Sequence, residues 1–525
     1  RPTSSAGVLS SHWTRAHTSA RSGWSRLLSA FRPRRMPSLP VAGVCLGSST
    51  SPALERLVLR LPFLETSVTI NLGDVQSTSE LIRQSPDLAD LQMAGDTRLL
   101  ELIDKVFLTP LPVETKALLQ GSTGQPLLEQ ALWAATQLVE LEGTPPDPSG
   151  RMLTDALVAA DEIGQPNVLG FLRSMPGEQA SIDFSKVAVV ANRLKTNLEQ
   201  GVALVQATEA ATVNSALREP LRGGWSREEQ RLSVRHRPKP LRLLVLRPTG
   251  NDLGRLAVIS HGLWDDPESF EGWAEFLAAN GDTVVLPDHP GSELSQWQSM
   301  VSGDTPPPGP EEVRLRPLEI SALIDAVRNG RLLSGQSIDT NSVAMIGHSW
   351  GATTSLQIAG GRPTENKLRT RCVDRKDPER NISWVLQCSW LSGIEQAAAP
   401  DPRVKAVVAV SPPLRLLFDP SSSKSLSANV LLVSGTRDWV VPSGPEAIRP
   451  MRDTGAVRTG HRLVLVKGAD HFSLRSFRGA DRPALLGPVI LAWLNEQLGV
   501  ESSVTFSAGG WGDSQGQLVD VSSSL

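Results

Sequence analysis

The sequence predicts an α/β protein whose core is a mostly parallel, eight-stranded sheet covered by helices, with a mainly helical N-terminal domain in front of it. Two observations carry this. From about residue 217 short apolar runs alternate with helical stretches, and several runs are unbroken Val, Ile and Leu, as in strands covered on both faces. Residues 55 to 210, by contrast, read as one hairpin followed by helices.

The expected strands are Gln230 to Arg235, Leu241 to Leu246, Leu256 to Ser260, Thr283 to Leu286, Ser342 to Ile346, Val404 to Val410, Val430 to Ser434 and Arg462 to Val466. Only a short turn separates the first two. Helical stretches at Phe270 to Ala279, Leu318 to Arg328, Trp350 to Ala359 and Pro483 to Leu498 alternate with the rest. In the N-terminal region Val68, Ile70 and Leu72 alternate with polar residues, and Leu57, Leu59 and Leu61 supply a hairpin partner. Leu99, Ile103 and Val106 follow an Asp96-Thr97 cap, and Leu128, Leu132, Ala135 and Val139 follow Pro126, both at helical spacing. The Pro-rich stretch Gly143 to Gly150 breaks the series. This region shows no paired acid and base, and reads as a lid, cap or interaction module. Residues 500 to 525 read as a polar tail.

Residues 1 to 54 hold Arg1, Arg15, Arg21, Arg26, Arg32, Arg34 and Arg35 and no acid. They read as a disordered leader, a transit-like segment or translated upstream sequence, with a weak secretory signal beginning at Met36. The chain is accordingly expected to be soluble, and either exported to a periplasm or cytoplasmic.

Bulk composition narrows the function classes. With 525 residues, 40% of them hydrophobic and 20% charged, and a net charge of −3, the chain is globular, and partnership with a nucleic acid is not expected. No run approaches the length of a membrane-spanning helix. The three cysteines, Cys45, Cys372 and Cys388, form no C-x-x-C pair, so neither a metal nor a cofactor is expected. There is no tyrosine, which removes the phenol as an acid, base or oxyanion donor.

G-x-S-x-G occurs twice, a measure of how weak the bare pattern is in a chain with 43 glycines. The copy at Gly347 to Gly351 follows an apolar strand and opens a helix, as a nucleophile elbow requires, and nominates Ser349; an ordinary N-cap serine would occupy the same place. The copy around Ser514 lies in the polar tail and reads as chance. A serine needs a base. His471, in the loop between the last expected strand and the closing helix, fits the chain order of nucleophile, acid and base; a surface-loop histidine is the plain alternative. His12, His17, His236, His261, His289, His348 and His461 fit less well. Asp438, in a loop after an apolar strand and a glycine turn, is the expected acid, with Asp419 as competitor and Asp470 as a loop cap. Backbone N–H groups of Leu263 and Trp350 are the expected oxyanion donors, although His261-Gly262 could be a simple strand-end turn.

Over roughly residues 220 to 498 the chain resembles the α/β-hydrolases grouped around dienelactone hydrolase and platelet-activating-factor acetylhydrolase. The resemblance is carried by Ser-His-Gly-Leu at 260 to 263, Asp288-His289-Pro290-Gly291, the elbow, Asp438 and His471. With its N-terminal region the whole resembles cyanobacterial hydrolases that carry an N-terminal domain of unknown function. The resemblance implies the α/β-hydrolase fold and an acyl-ester hydrolase acting on a small or lipid-like ester through an acyl-enzyme. Dienelactone hydrolase has a cysteine nucleophile where this chain has Ser349. The acetylhydrolase type places its acid after the sixth strand, where this chain reads Val410-Ser411-Pro412-Pro413, so the acid role falls to Asp438 and phospholipid specificity is not implied.

Thioester, lactone or amide hydrolysis and acyl transfer use the same triad, and a non-catalytic binding protein could keep the same fold. Two long inserts, residues 291 to 315 with Trp297 and Met300 and residues 361 to 400 with Trp384 and Trp390, either line an acyl pocket or pack as loop anchors. Cys372 and Cys388 are expected to pair if the protein is exported.

Overall fold

The computed structural model describes residues 54–60, 67–73, 75, 77–93, 107, 121–135, 139–142, 144, 147, 151–218, 223–479, 484–512 and 517–525. The leader, most of the helix expected near Asp96 and the motif around Ser514 lie outside these residues, and residues 51 to 525 form one compact unit.

The N-terminal part is built on strands β1 (Arg56–Arg60), β2 (Ser67–Asn71), β3 (Val139–Leu141) and β4 (Gln179–Asp183), in the order β2-β1-β4-β3. The expected hairpin is β1 against β2, with Leu57 opposite Ile70 and Leu59 opposite Val68. Two strands were not anticipated. Val139, read as the end of a helical stripe, begins β3, and the helix behind Pro126 stops at Ala135. Pairing with β4 claims the segment, an instance of tertiary context overriding local propensity.

The main sheet follows as β5 (Trp225–Leu232), β6 (Leu241–Pro248), β7 (Arg255–Ser260), β8 (Asp282–Pro287), β9 (Asp339–His348), β10 (Val404–Val410), β11 (Asn429–Gly435), β12 (Arg462–Val466) and β13 (Leu518–Asp520). Its order is β13-β12-β11-β10-β9-β7-β8-β6-β5. The pairs from β8 through β7, β9, β10 and β11 to β12 are parallel, and β5, β6 and β13 join antiparallel. Continuous apolar strands split by period two. Val343, Met345, Leu432 and Leu463 bury into the core on one face, and Ala344, Ile346, Leu431 and Val464 into the core on the other.

Nine strands, where eight were expected, reflect a correction to the tail. Leu518–Asp520 pairs with β12, Val519 and Val521 join one face of the core, and Trp511 stacks on Phe506 with centroids 4.6 Å apart. Ser and Gly dilute this apolar content and hide it from a composition reading.

The helix expected from Leu318 begins earlier, at Glu312, and carries Pro317 in its interior. Proline cannot donate to the carbonyl four residues back. Gln357 Nε2 donates to that carbonyl, Val313 O, at 3.2 Å instead. Glu312, Arg316 and Glu319 consequently lie buried on the helix face that meets the sheet.

The insert after the elbow helix is ordered by a Cys372–Cys388 disulfide, with Cα atoms 5.9 Å apart. Buried Glu446 accepts from Asn381, Ser383, Trp384 and Gln387 with Oε1 and from the Leu414 and Arg415 N–H groups with Oε2. That carboxylate ties the insert to the loop after β10. Trp384 and Trp390 are buried packing residues, whereas Trp297 is partly exposed.

Candidate active site

Sheet topology brings the candidate residues together. The strand order reverses around β7 and β9, and in open α/β sheets the crevice beyond the strand carboxyl ends at such a reversal is where ligands bind. Ser260 at the end of β7 pairs with Gly347 near the end of β9, so the loop His261-Gly262-Leu263 leaves the sheet beside the elbow. On the other side Gly435 of β11 pairs with Val466 of β12, which sets the loops carrying Asp438 and His471 side by side.

The elbow is strained and closely packed. Ser349 has φ +53° and ψ −122°, a conformation that non-glycine residues rarely adopt and that clusters at functional sites. Its N–H donates to Val410 O at 2.9 Å. A Cβ on Gly347 would lie 2.2 Å from the Gly351 backbone, and one on Gly351 would lie 1.9 Å from Ser260 O, so both positions exclude any side chain. A Cβ on Gly262 would stand 3.2 Å from Ser349 Cβ, a measure of how near the β7 loop comes to the serine.

His471 Nδ1 lies 2.9 Å from Asp438 Oδ2. A carboxylate only accepts, so Nδ1 carries the proton and Nε2 is the free base position. Asp438 is fully buried, and its Oδ1 accepts the Val440 and Val441 N–H groups at 3.1 and 2.7 Å. These bonds hold the Asp438 side chain in place beside the imidazole. Among the described residues His471 Nε2 has no hydrogen-bond partner, and hydrogen bonds between nucleophile and base are commonly long until substrate arrives. His348, the elbow residue before the serine, donates from Nε2 to His471 O at 2.9 Å and packs against the His471 ring at 4.6 Å. It thus fixes the loop of the expected base, a role the sequence reading did not assign.

Among the described residues the N–H groups of Leu263 and Trp350 donate to no protein group. Below them, His261 Nδ1–H donates to Gly262 O at 2.7 Å, and its Nε2 accepts the His289 N–H at 3.0 Å. Trp264, next in this loop, has φ +56°, and its N–H donates to Ser292 O at 2.7 Å.

The other candidates go elsewhere. Asp419 accepts from Thr364 Oγ1 and Asn366 Nδ2 and does not reach His471. Asp470 accepts the Phe472 and Ser473 N–H groups, as a loop cap does. His461 Nδ1 accepts from the Val430 N–H.

A second serine, histidine and carboxylate chain is complete. Ser260 Oγ lies 2.8 Å from His289 Nε2, and His289 Nδ1 lies 2.5 Å from Glu319 Oε2. All three residues have zero exposure, whereas Ser349 retains 8%. Burial holds the His261, His289 and His348 imidazoles well below the ordinary histidine range and pushes the Glu319 carboxyl up to about 7. A clue existed in the sequence: Glu312, Arg316 and Glu319, spaced four and three apart, share one helix face with Ile320 and Leu323.

Among the described residues no helix is long and apolar enough to cross a membrane. No curated protein matches the chain significantly. Residues 257–494 match the model of the Alpha/beta hydrolase family. The match and the nine-stranded, mostly parallel sheet together show the α/β-hydrolase fold for this part of the chain.

Proposed function

We propose that the protein is a serine hydrolase that cleaves carboxylic esters through an acyl-enzyme. The observation that carries this reading is the strained Ser349, which retains 8% exposure, beside two backbone N–H groups that find no partner among the described residues, with a buried His471–Asp438 pair on the neighbouring loops.

In this mechanism His471 Nε2 takes the Ser349 hydroxyl proton as Oγ attacks the ester carbonyl carbon. The oxyanion of the tetrahedral intermediate receives the N–H groups of Leu263 and Trp350. Collapse breaks the carbon to alkoxy bond, and the His471 imidazolium protonates the departing alcohol. Water, deprotonated by the same imidazole, then attacks the acyl group on Ser349 and releases the acid. Asp438 keeps the Nδ1 tautomer and balances the imidazolium charge. The acid's site after β11, rather than after β10, favours an arrangement like that of dienelactone hydrolase.

Residues 55 to 210 act in this reading as a module that shapes access and supplies no catalytic group. Its helix Pro126–Ala135 lies against the insert, with Trp133 under the guanidinium groups of Arg375 and Arg380 at 5.3 and 4.5 Å. The Cys372–Cys388 disulfide favours export to an oxidising compartment. Turnover of p-nitrophenyl esters graded by acyl length tests the function. Hydrolysis by the wild-type protein and none by Ser349→Ala supports it, and an inert wild-type protein refutes it.

A further inference from the structure

We propose that Arg316 is a positioning residue that fixes and polarises the oxyanion hole from below, an inference that rests on the serine-hydrolase reading.

Arg316 is fully buried, yet its hydrogen bonds go to neutral groups. Nη1 donates to His261 O at 2.7 Å and Nη2 to Gly262 O at 3.2 Å, while Nε and Nη2 donate to Ser292 Oγ at 3.0 and 2.8 Å. Its charge is balanced within the cluster. Arg237 pairs with Glu312 and Glu319, so two guanidinium groups face two carboxylates. Desolvation lowers the Arg316 guanidinium only to about 10, which leaves it protonated at neutral pH.

The geometry of one peptide unit gives this contact its meaning. Gly262 O belongs to the same planar trans peptide as Leu263 N–H, and in such a unit the C=O and N–H point in opposite directions. Holding the oxygen on the buried side therefore aims the N–H at the open side, where Ser349 stands. A cation on the oxygen also draws electron density from the peptide and makes its N–H a stronger donor, in the way hydrogen bonds in a chain reinforce one another. Ser292, gripped by Arg316 through its hydroxyl, accepts the Trp264 N–H at its carbonyl and so clamps the next residue of the loop in its left-handed conformation. The guanidinium also lies 4.2 Å from the centroid of the Trp350 ring, which belongs to the residue carrying the second N–H. One side chain thus holds the peptide oxygen opposite the first proposed donor and lies over the ring of the residue that carries the second.

The test uses the full chain, p-nitrophenyl acetate and an aryl trifluoromethyl ketone, whose adduct with a serine carries an oxyanion. Arg316→Met is expected to lower kcat about 10²-fold, the scale of losing one oxyanion donor, with KM nearly unchanged. The inhibition constant of the ketone should rise by a similar factor. Arg316→Lys, which offers a single ammonium in place of a planar fork, should recover part of the loss, and Ser292→Ala should show a loss of a few-fold. Folded Arg316→Met with wild-type kcat and ketone affinity would overturn the proposal, as would a fall in kcat without weaker ketone binding. If Arg316→Met does not fold, wild-type values in both Arg316→Lys and Ser292→Ala overturn it. A wild-type protein inert toward the acetate and the ketone would instead defeat the serine-hydrolase reading, and this inference with it.

Discussion

Two serine, histidine and carboxylate chains stand side by side at the carboxyl end of the sheet. One runs from Ser260 through His289 to Glu319 and has every hydrogen bond in place; the other is the proposed one, in which the His471–Asp438 pair would serve Ser349. Hydrogen bonding alone would favour the first chain as a catalyst, and the proposal rests instead on the second, whose serine retains 8% exposure against none for Ser260. Ser260 ends a regular strand, sealed under the loop it leads into, whereas Ser349 sits on a strained turn beside N–H groups that have no partner among the described residues. The closed chain instead shares Glu319 with Arg237, inside the charged cluster that supports the loop after β7.

Each chain can be broken separately. The largest expected effect is on Ser349→Ala, which should lower kcat by about 10⁶, as loss of a triad serine does elsewhere. Ser260→Ala should change the rate only a few-fold while costing about 1–3 kcal/mol of stability, because His289 Nε2 would lose its donor. Esterase assays and urea unfolding of both variants check this. Next, Asp438→Asn should lower kcat by about 10⁴ through the wrong imidazole tautomer, and Glu319→Gln by less than about 10-fold; the reverse order would make the closed chain the catalyst.

A smaller effect is expected at the insert, whose Trp390 packs on Trp350 with centroids 4.9 Å apart. Replacing Cys372 and Cys388 by serine should cost about 3 kcal/mol of stability, the chain-entropy value for a loop of this size. The open chain should lose activity with it and the closed cluster should not change, which denaturant midpoints and kcat measured together would reveal.

The smallest effect is a pH dependence belonging to the closed chain. Burial raises the Glu319 carboxyl from its ordinary 4.5 to about 7, so the folded state holds a proton that the unfolded state releases. Its contribution to stability is full below about 4.5 and is lost as pH rises through about 7. Wild-type stability relative to Glu319→Gln should fall across that window, as read from urea midpoints at several pH values, and a constant difference would contradict the assignment.

Much of this was legible in the sequence because it is periodic or punctuated. The Val-rich strands, the elbow's two glycines and the loops that carry Asp438 and His471 all declare themselves by pattern and order. What stayed hidden depends on contacts distant in sequence. β13 needs β12 to become a strand, Val139 needs β4, and the helix around Pro317 needs Gln357 to replace a missing bond. Arg316 and Glu319 become buried only once their helix packs onto the rest of the fold.

The most direct test of the central claim is the site at which a fluorophosphonate becomes attached, read by peptide mapping of the labelled full chain. The account predicts one phosphonylated residue, Ser349, with labelling unchanged in Ser260→Ala and absent in Ser349→Ala. Label on Ser260, or labelling that survives in Ser349→Ala, would contradict it.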